Sequence, residues 1–376
     1  MPAPRYPIAR DPSIAAEQRI SADSHMAEPL DLWETRLPSK VRDRALRFPK
    51  LKLYETNHHL RGGGWDPYER LTDMALDGIS AEVLYPTLGK QAWLIEDPEL
   101  EEACIRVYND WLIEFCSVNP ARFWGLCMVS LFDIDGAVKE LERCKKEGMR
   151  GVSIPMSPNP EFPYSSNHYE RFWAAATALE MPLNLHINSG PGWKGHGSDR
   201  AGMLPEGVHK FDTLKAVGDA VASGVFERHP DLKMIVAECG VGWIPFFAQE
   251  FDAYVGVGKR SELSRPPSDY VWRNVYGAFI SDPVGGFLLS KYGQDNFMWS
   301  NDYPHPACIW PGASGVIERD LGHMSPAVRH KVIAGTAARV FNGGVLPPPA
   351  DPVPEEYQPI DDLWLQWHEP IVAGMS

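Results

Sequence analysis

Eight short apolar runs punctuate the chain: Ile20–Ser24, Ala81–Tyr85, Phe123–Val129, Gly151–Ile154, Leu183–Ile187, Lys233–Ala237, Val275–Ile280 and Phe297–Ser300. None alternates strictly between apolar and polar positions. Continuous short apolar runs predict strands buried on both faces, as in a parallel sheet. Between them the period changes. Asp97-Pro98 opens a stretch with Leu100, Cys104, Val107, Tyr108, Trp111, Leu112 and Phe115 at spacings of three and four, which predicts an amphipathic helix. Asp135 is the expected cap of a helix over Gly136–Lys146 that stops at Gly148. Further helices are expected over Asn167–Glu180, Phe211–Arg228 and Ser325–Phe341.

Eight strands alternating with helices predict an α/β fold, a (β/α)8 TIM barrel, in preference to an open doubly wound sheet. The expected organisation is one barrel domain over residues 1–376, with its core at 20–341, an insertion at 32–68 and a tail at 346–376. The insertion holds His58-His59 and Arg61-Gly62-Gly63-Gly64-Trp65; a second Gly-rich stretch, Asn188–Pro205, follows strand five. Both leave the C-terminal face of the barrel, where sites are built, so each reads as a mobile lid or as a plain surface loop. The glycine run lacks a following GK[ST] and is no phosphate cradle. The tail carries Trp364, Trp367 and Ile371, which suit wrapping over the barrel or a second subunit.

Composition narrows the partners. With a formal charge of -14, the chain has no basic excess to hold nucleic acid or an anionic membrane as its main partner. Hydrophobic residues at 44% and charged residues at 23% are those of a globular protein. No leader-like apolar segment opens the chain, and no run reaches a membrane-spanning length. The six cysteines form no CxxC pair and mostly sit in apolar segments, so reduced, buried thiols in a cytoplasmic protein are expected.

The chemistry gathers at strand ends. Asp23-Ser24-His25 closes strand one, and residues two apart on an extended chain face the same way. His186 closes strand five, Glu238 strand six, and Asp302 follows strand eight. An ionisable group after each apolar run is costly to bury unless it is paired or bound to a metal. Singly, each also reads as a structural residue, a hydrogen-bonded His or an Asp capping a turn. Together they form a mixed nitrogen and oxygen set at one barrel face, which suits Zn2+ or Mn2+ with a position left open.

These segments carry a resemblance. Asp23-Ser24-His25 with Glu28-Pro29-Leu30-Asp31-Leu32-Trp33, His186, Ala237 to Pro245, and Ser300-Asn301-Asp302-Tyr303-Pro304-His305-Pro306 resemble the amidohydrolase superfamily, from about Ile20 to Phe341. The branch that looks most similar contains aminocarboxymuconate semialdehyde decarboxylase and the non-oxidative aromatic acid decarboxylases. The resemblance implies one divalent metal, Zn2+ first and Mn2+ second, held by Asp23, His25, His186 and Asp302. Two positions depart from the family. Strand one has Asp-x-His where His-x-His is common, and strand six ends in Glu238 where a proton-transferring His is usual. Glu238 then reads either as an acid or base or as a further ligand, and His305 is the other proton-transfer candidate, or a loop-stabilising His. The family also implies an Arg for the substrate carboxylate. Arg61 is the candidate, with Arg70 and Arg47 as alternatives, while Trp193, Trp243 and Trp310 are candidate pocket walls or core.

The implied reaction is non-oxidative decarboxylation of an aromatic or unsaturated carboxylic acid. Two other readings stand beside it: hydrolysis of an amide, ester or C–C bond by a metal-activated water, and a barrel scaffold without catalysis. The expected assembly is a homodimer or homotetramer, with a small molecule as the ligand.

Overall fold

The computed structural model describes residues 9–47, 61–192, 210–258, 263–305 and 308–354. Eight parallel strands follow one another in chain order: β1 (Arg19–His25), β2 (Ile79–Tyr85), β3 (Phe123–Met128), β4 (Gly151–Pro155), β5 (Leu183–His186), β6 (Met234–Ala237), β7 (Val275–Phe279) and β8 (Phe297–Trp299). Every residue of these strands is buried. That burial is why the sequence shows apolar runs and not an alternation. The fold is a (β/α)8 barrel, and the eight expected strands lie within two residues of the observed ones at each end.

Closure of β8 on β1 uses side chains as well as backbone. The Asp302 N–H donates to the Asp23 carbonyl at 3.0 Å. Asn301 N–H donates to Ser21 Oγ at 3.0 Å, and the Ser21 and Ser24 hydroxyls donate to Asn301 Oδ1 at 2.9 and 3.0 Å. These bonds bridge an irregular β1 register between Ser21 and Ser24.

The helices differ from expectation where two signals compete. Pro98–Ser117 starts as read, with the Asp97 carboxylate accepting from Glu99 and Leu100 N–H. The next helix is Ile134–Lys146, and its cap is Asp133, not Asp135. Ile134 packs against the core, which draws it into the helix and moves the cap back, leaving Asp135 free to pair with Arg171. The expected Asn167–Glu180 helix is a 3-10 turn, Asn167–Tyr169, followed by Glu170–Ala178. The Phe211–Arg228 stretch splits into Asp212–Ala222 and Val225–Arg228 at Gly224, whose φ of 72° no α-helix accommodates. Ser325 caps a helical run of three parts, Pro326–His330, a wide turn Lys331–Gly335, and Thr336–Phe341.

The glycine run is packed, not lid-like. Gly62–Gly64 forms a 3-10 turn under the mouth, and the Ala27 N–H donates to Gly64 O at 2.8 Å. A Cβ on Gly63 would sit 2.5 Å from the Tyr303 hydroxyl, and one on Gly64 2.6 Å from Ala27 Cβ. The expected His58-His59, most of the Asn188–Pro205 stretch and the tail tryptophans lie outside the described residues. The start of the tail docks beside the N-terminal ends of the strands, where Arg122 donates to Pro348 and Pro349 carbonyls and pairs with Asp351. All six cysteines are buried and unpaired, and no described helix is long and apolar enough to cross a membrane.

Candidate metal centre

At the C-terminal mouth, the strand ends bring Asp23, His25, His186 and Asp302 together. His25 Nε2 lies 2.9 Å from His186 Nε2, 3.4 Å from Asp23 Oδ1 and 3.5 Å from Asp302 Oδ1. His186 Nε2 lies 3.9 Å from Asp23 Oδ1. All four side chains are buried.

The bonding around the rings tests whether a cation fits. His186 Nδ1 faces the Ile187 carbonyl at 2.9 Å, so this nitrogen carries the proton and donates it. The His25 ring hydrogen-bonds the Pro86 carbonyl from its other side. Burial, reinforced by neighbouring positive charge, holds both rings below the usual histidine range, so both are neutral. Two neutral imidazoles then point bare Nε2 lone pairs at each other. Both carboxylate oxygens of Asp23 and of Asp302 are buried without a hydrogen bond among the described residues. Burying such acceptors unsatisfied is costly. A divalent cation between them satisfies all at once, and nitrogen with carboxylate oxygen is a donor set for Zn2+ or Mn2+. The residues present therefore fit a metal.

Glu238 and Asp302 reach the site by a shared device. Their φ values are 60° and 57°, left-handed for residues that bear a Cβ. The turn at each strand end re-aims the side chain toward the mouth, and strain of this kind gathers at functional sites. Glu238 Oε2 stands 3.2 Å from His186 Nε2. Burial, then the Asp302 and Asp23 carboxylates, push the Glu238 carboxyl up to about 8. A bound divalent cation acts in the opposite sense. His305 stacks on His25 with ring centroids 3.7 Å apart; its Nδ1 lies 3.0 Å from Asp302 Oδ1 and its Nε2 2.9 Å from Thr87 Oγ1. Burial pushes His305 down to about 4.

The expected substrate residues fall differently. Arg61 is paired with Asp73 at 2.8 Å and lies over the Trp310 ring at 4.7 Å. Arg70 is fully buried, bonded to Glu82 at 2.5 Å and to the His25 carbonyl at 2.8 Å, a clamp behind the metal strand. Arg47 pairs with Glu34 at the surface. Trp243 begins the helix Trp243–Gly258, its indole N–H donating to Gly240 O at 3.1 Å. Trp310 is buried and donates to Asp73 O at 2.8 Å. Trp193 lies outside the described residues.

Sequence reading passed over the β2 loop. Glu28, quoted in the strand-one motif but given no role, accepts from the backbone N–H of Thr87, Leu88 and Gly89. That cradle fixes Thr87 against His25 and His305, and Lys90 follows it. Extending the strand-end survey from acids and histidines to lysine after Tyr85 would have found it.

Residues 55–343 match the model of the amidohydrolase family. The chain belongs to that family. A gamma-resorcylate decarboxylase of Rhodococcus jostii (strain RHA1) is 29% identical over 271 residues, 62% of this chain and 79% of that one. A 2-amino-3-carboxymuconate-6-semialdehyde decarboxylase of Dictyostelium discoideum is 24% identical over 283 residues, 73% of this chain and 76% of that one. A solved dihydroxybenzoic acid decarboxylase from Polaromonas sp. JS666, with bound manganese and the inhibitor 2-nitroresorcinol, superposes with a TM-score of 0.65 at 22% identity, over 86% of this chain and 97% of that one. That likeness shows the same barrel fold.

Proposed function

We propose that the protein is a metal-dependent lyase that removes carbon dioxide, without redox chemistry, from an aromatic or unsaturated carboxylic acid. The observation that carries this reading is the bare pair of histidine nitrogens beside two unsatisfied carboxylates, in a family whose matched relatives are named as decarboxylases. Asp23, His25, His186 and Asp302 would hold one divalent ion, which supplies a Lewis acid for a substrate oxygen. Zinc is the first choice and manganese, the metal of the solved relative, the second.

Glu238 is the proton-transfer group in this scheme. It borders the cluster yet is partly exposed at the mouth, on the side open to a ligand. It would deliver a proton to the ring carbon that bears the carboxylate. The C–C bond then breaks, its electron pair stays with the ring, and carbon dioxide departs. His305, the other expected proton carrier, has Nε2 bonded to Thr87 Oγ1 and Nδ1 set 3.0 Å from Asp302 Oδ1. That geometry suits holding Asp302 in place. Arg61, Trp243 and Trp193 stay proposed as substrate-side residues, with Arg61 acting through its Asp73 and Trp310 contacts. A cytoplasmic location suits six unpaired cysteines, and a homodimer or homotetramer suits the exposed Phe246, Tyr254, Val284 and Phe287.

The test is direct. Protein loaded with zinc or manganese is mixed with 2,6-dihydroxybenzoate, other hydroxybenzoates and unsaturated diacids, and carbon dioxide release is followed. Release from one or more of them is expected. Silence across the panel, with turnover of amides or esters, would give the site to hydrolysis.

A further inference from the structure

The mouth of the site is rich in acids. Asp23, Asp302, Glu238 and Glu28 all border it; with Glu238 protonated as the donor, a divalent ion offsets Asp23 and Asp302 and leaves the Glu28 carboxylate. An anionic substrate entering such a site meets net repulsion unless a fixed cation faces it. Arg61 is occupied by Asp73, and Arg70 is locked behind β1 by Glu82 and the His25 carbonyl. Neither presents a free guanidinium to the mouth.

Lys90 is placed differently. It begins the second position of the 3-10 turn Gly89–Leu94, just after the loop that the Glu28 carboxylate grips through three N–H groups. The same loop puts Thr87 on the metal-side histidines, so the base of Lys90 is fixed relative to the cluster. Its charge is felt by Asp23, His25, His186, Glu238, Asp302 and His305. Yet the half-buried side chain makes no hydrogen bond or ion pair of its own among the described residues. Burial lowers its pKa, and the Glu238, Asp302, Glu28 and Asp23 carboxylates act to keep it an ammonium.

We propose that Lys90 Nζ receives the substrate's carboxylate across the mouth from the metal cluster, and so makes the site specific for acids over the corresponding phenols. This rests on the decarboxylase reading and names the group that recognises its substrate. A lysine suits the task better than an arginine. A guanidinium grips both carboxylate oxygens in a plane, whereas an ammonium holds them as a point charge. The carboxylate can then turn out of the ring plane, the orientation from which its C–C bond overlaps the ring π system and breaks.

The experiment measures binding apart from turnover. Manganese-loaded wild type, K90M and K90Q are titrated calorimetrically with benzoate, 2-hydroxybenzoate and 2,6-dihydroxybenzoate, and with phenol and resorcinol as partners lacking the carboxylate. Metal content and melting temperature are checked for each, and K90Q serves if K90M does not fold. Wild type is expected to favour at least one acid over its phenol. The neutral variants are expected to lose roughly ten- to hundredfold in affinity for that acid, with resorcinol binding within about twofold and metal content unchanged. No acid preference in wild type, or an undiminished preference in the variants, overturns the assignment. Carbon dioxide release separates the two readings. Release with binding unaffected by K90Q removes Lys90 alone. A lysine-dependent acid preference without release removes the decarboxylase reading and leaves Lys90 in place.

Discussion

The two sides of the barrel mouth are built to different standards. On the β8–β1–β2 side, Asp23, His25 and Asp302 are fully buried and backed by a second layer. Arg70 grips the His25 carbonyl and Glu82, Ser21 and Ser24 tie β1 to Asn301, and Glu28 locks the β2 loop. On the β5–β6 side, Glu238 is partly exposed and touches the cluster through His186. The first side is over-determined and the second is open. A cation needs fixed ligands with satisfied supports, whereas a proton donor needs access to what it protonates. The proposed division of labour follows: one side would hold the metal, the other would carry the proton. Each prediction below tests that division.

The largest effect is expected from Asp302→Ala. It removes a proposed ligand from the rigid side and the carboxylate beside His305. Metal affinity should fall by more than the roughly 10–100-fold that outer supports of a metal site usually carry, so elemental analysis should find well under one equivalent of metal, and carbon dioxide release should vanish. A variant that kept a full equivalent of metal would take Asp302 out of the ligand set and break the comparison.

Next comes Arg70→Met. Arg70 and Glu82 are both buried, so removing the guanidinium strands a carboxylate in the interior. Unfolding in urea should show a loss of about 3–5 kcal/mol. The double variant Arg70→Met with Glu82→Leu should recover most of it, since an apolar pair leaves no orphaned charge. A single-variant loss below about 1 kcal/mol, in the range of an exposed pair, would mean that this side is not held as tightly as its contacts imply.

These two residues also mark what the sequence made legible. Asp302 stood out because an ionisable group after an apolar run is conspicuous, and the same logic found Asp23, His25, His186 and Glu238. The strands themselves were readable because burial on both faces leaves a continuous apolar run. The sequence offers Arg70 as an alternative substrate cation, and the structure buries it. Nothing local distinguishes an arginine that reaches inward from one that faces water; its burial depends on Glu82 and the His25 carbonyl meeting it from elsewhere in the chain. Lys90 follows strand two and is open to a strand-end survey that includes lysine, but the loop that fixes its base is held by Glu28, far off in sequence. Gly224 is a breaker, but the apolar period runs through it in phase, from Val217 and Val221 to Val225, and hides the break.

On the open side, Glu238→Gln should leave metal content and stability near wild type and lower kcat on the order of 100-fold. The sign of its pH dependence follows from the proposed role. A donor works while protonated, so activity should fall as pH rises through its pKa, which burial and the two aspartates push up. That alkaline limb should be absent in the Gln variant. A profile in which activity instead appeared with rising pH would make Glu238 a base and favour hydrolysis.

The smallest effect concerns strain. Glu238 occupies φ 60°, where a Cβ crowds the following carbonyl at a cost of about 1–2 kcal/mol, and glycine has no Cβ to crowd. Glu238→Gly and Glu238→Ala remove the same carboxyl, so the difference between them isolates the backbone. The glycine variant should be the more stable by about 1 kcal/mol in denaturant unfolding, less than the full strain because glycine also gains freedom when unfolded. Both should lose activity alike. The same pair at a strained residue with no site to serve, Glu180 at φ 51°, gives the reference. A similar gain at both positions would show that the left-handed turn costs the same wherever it occurs. What is particular to Glu238 is then that no carboxyl can be aimed at the mouth from the end of β6 without it.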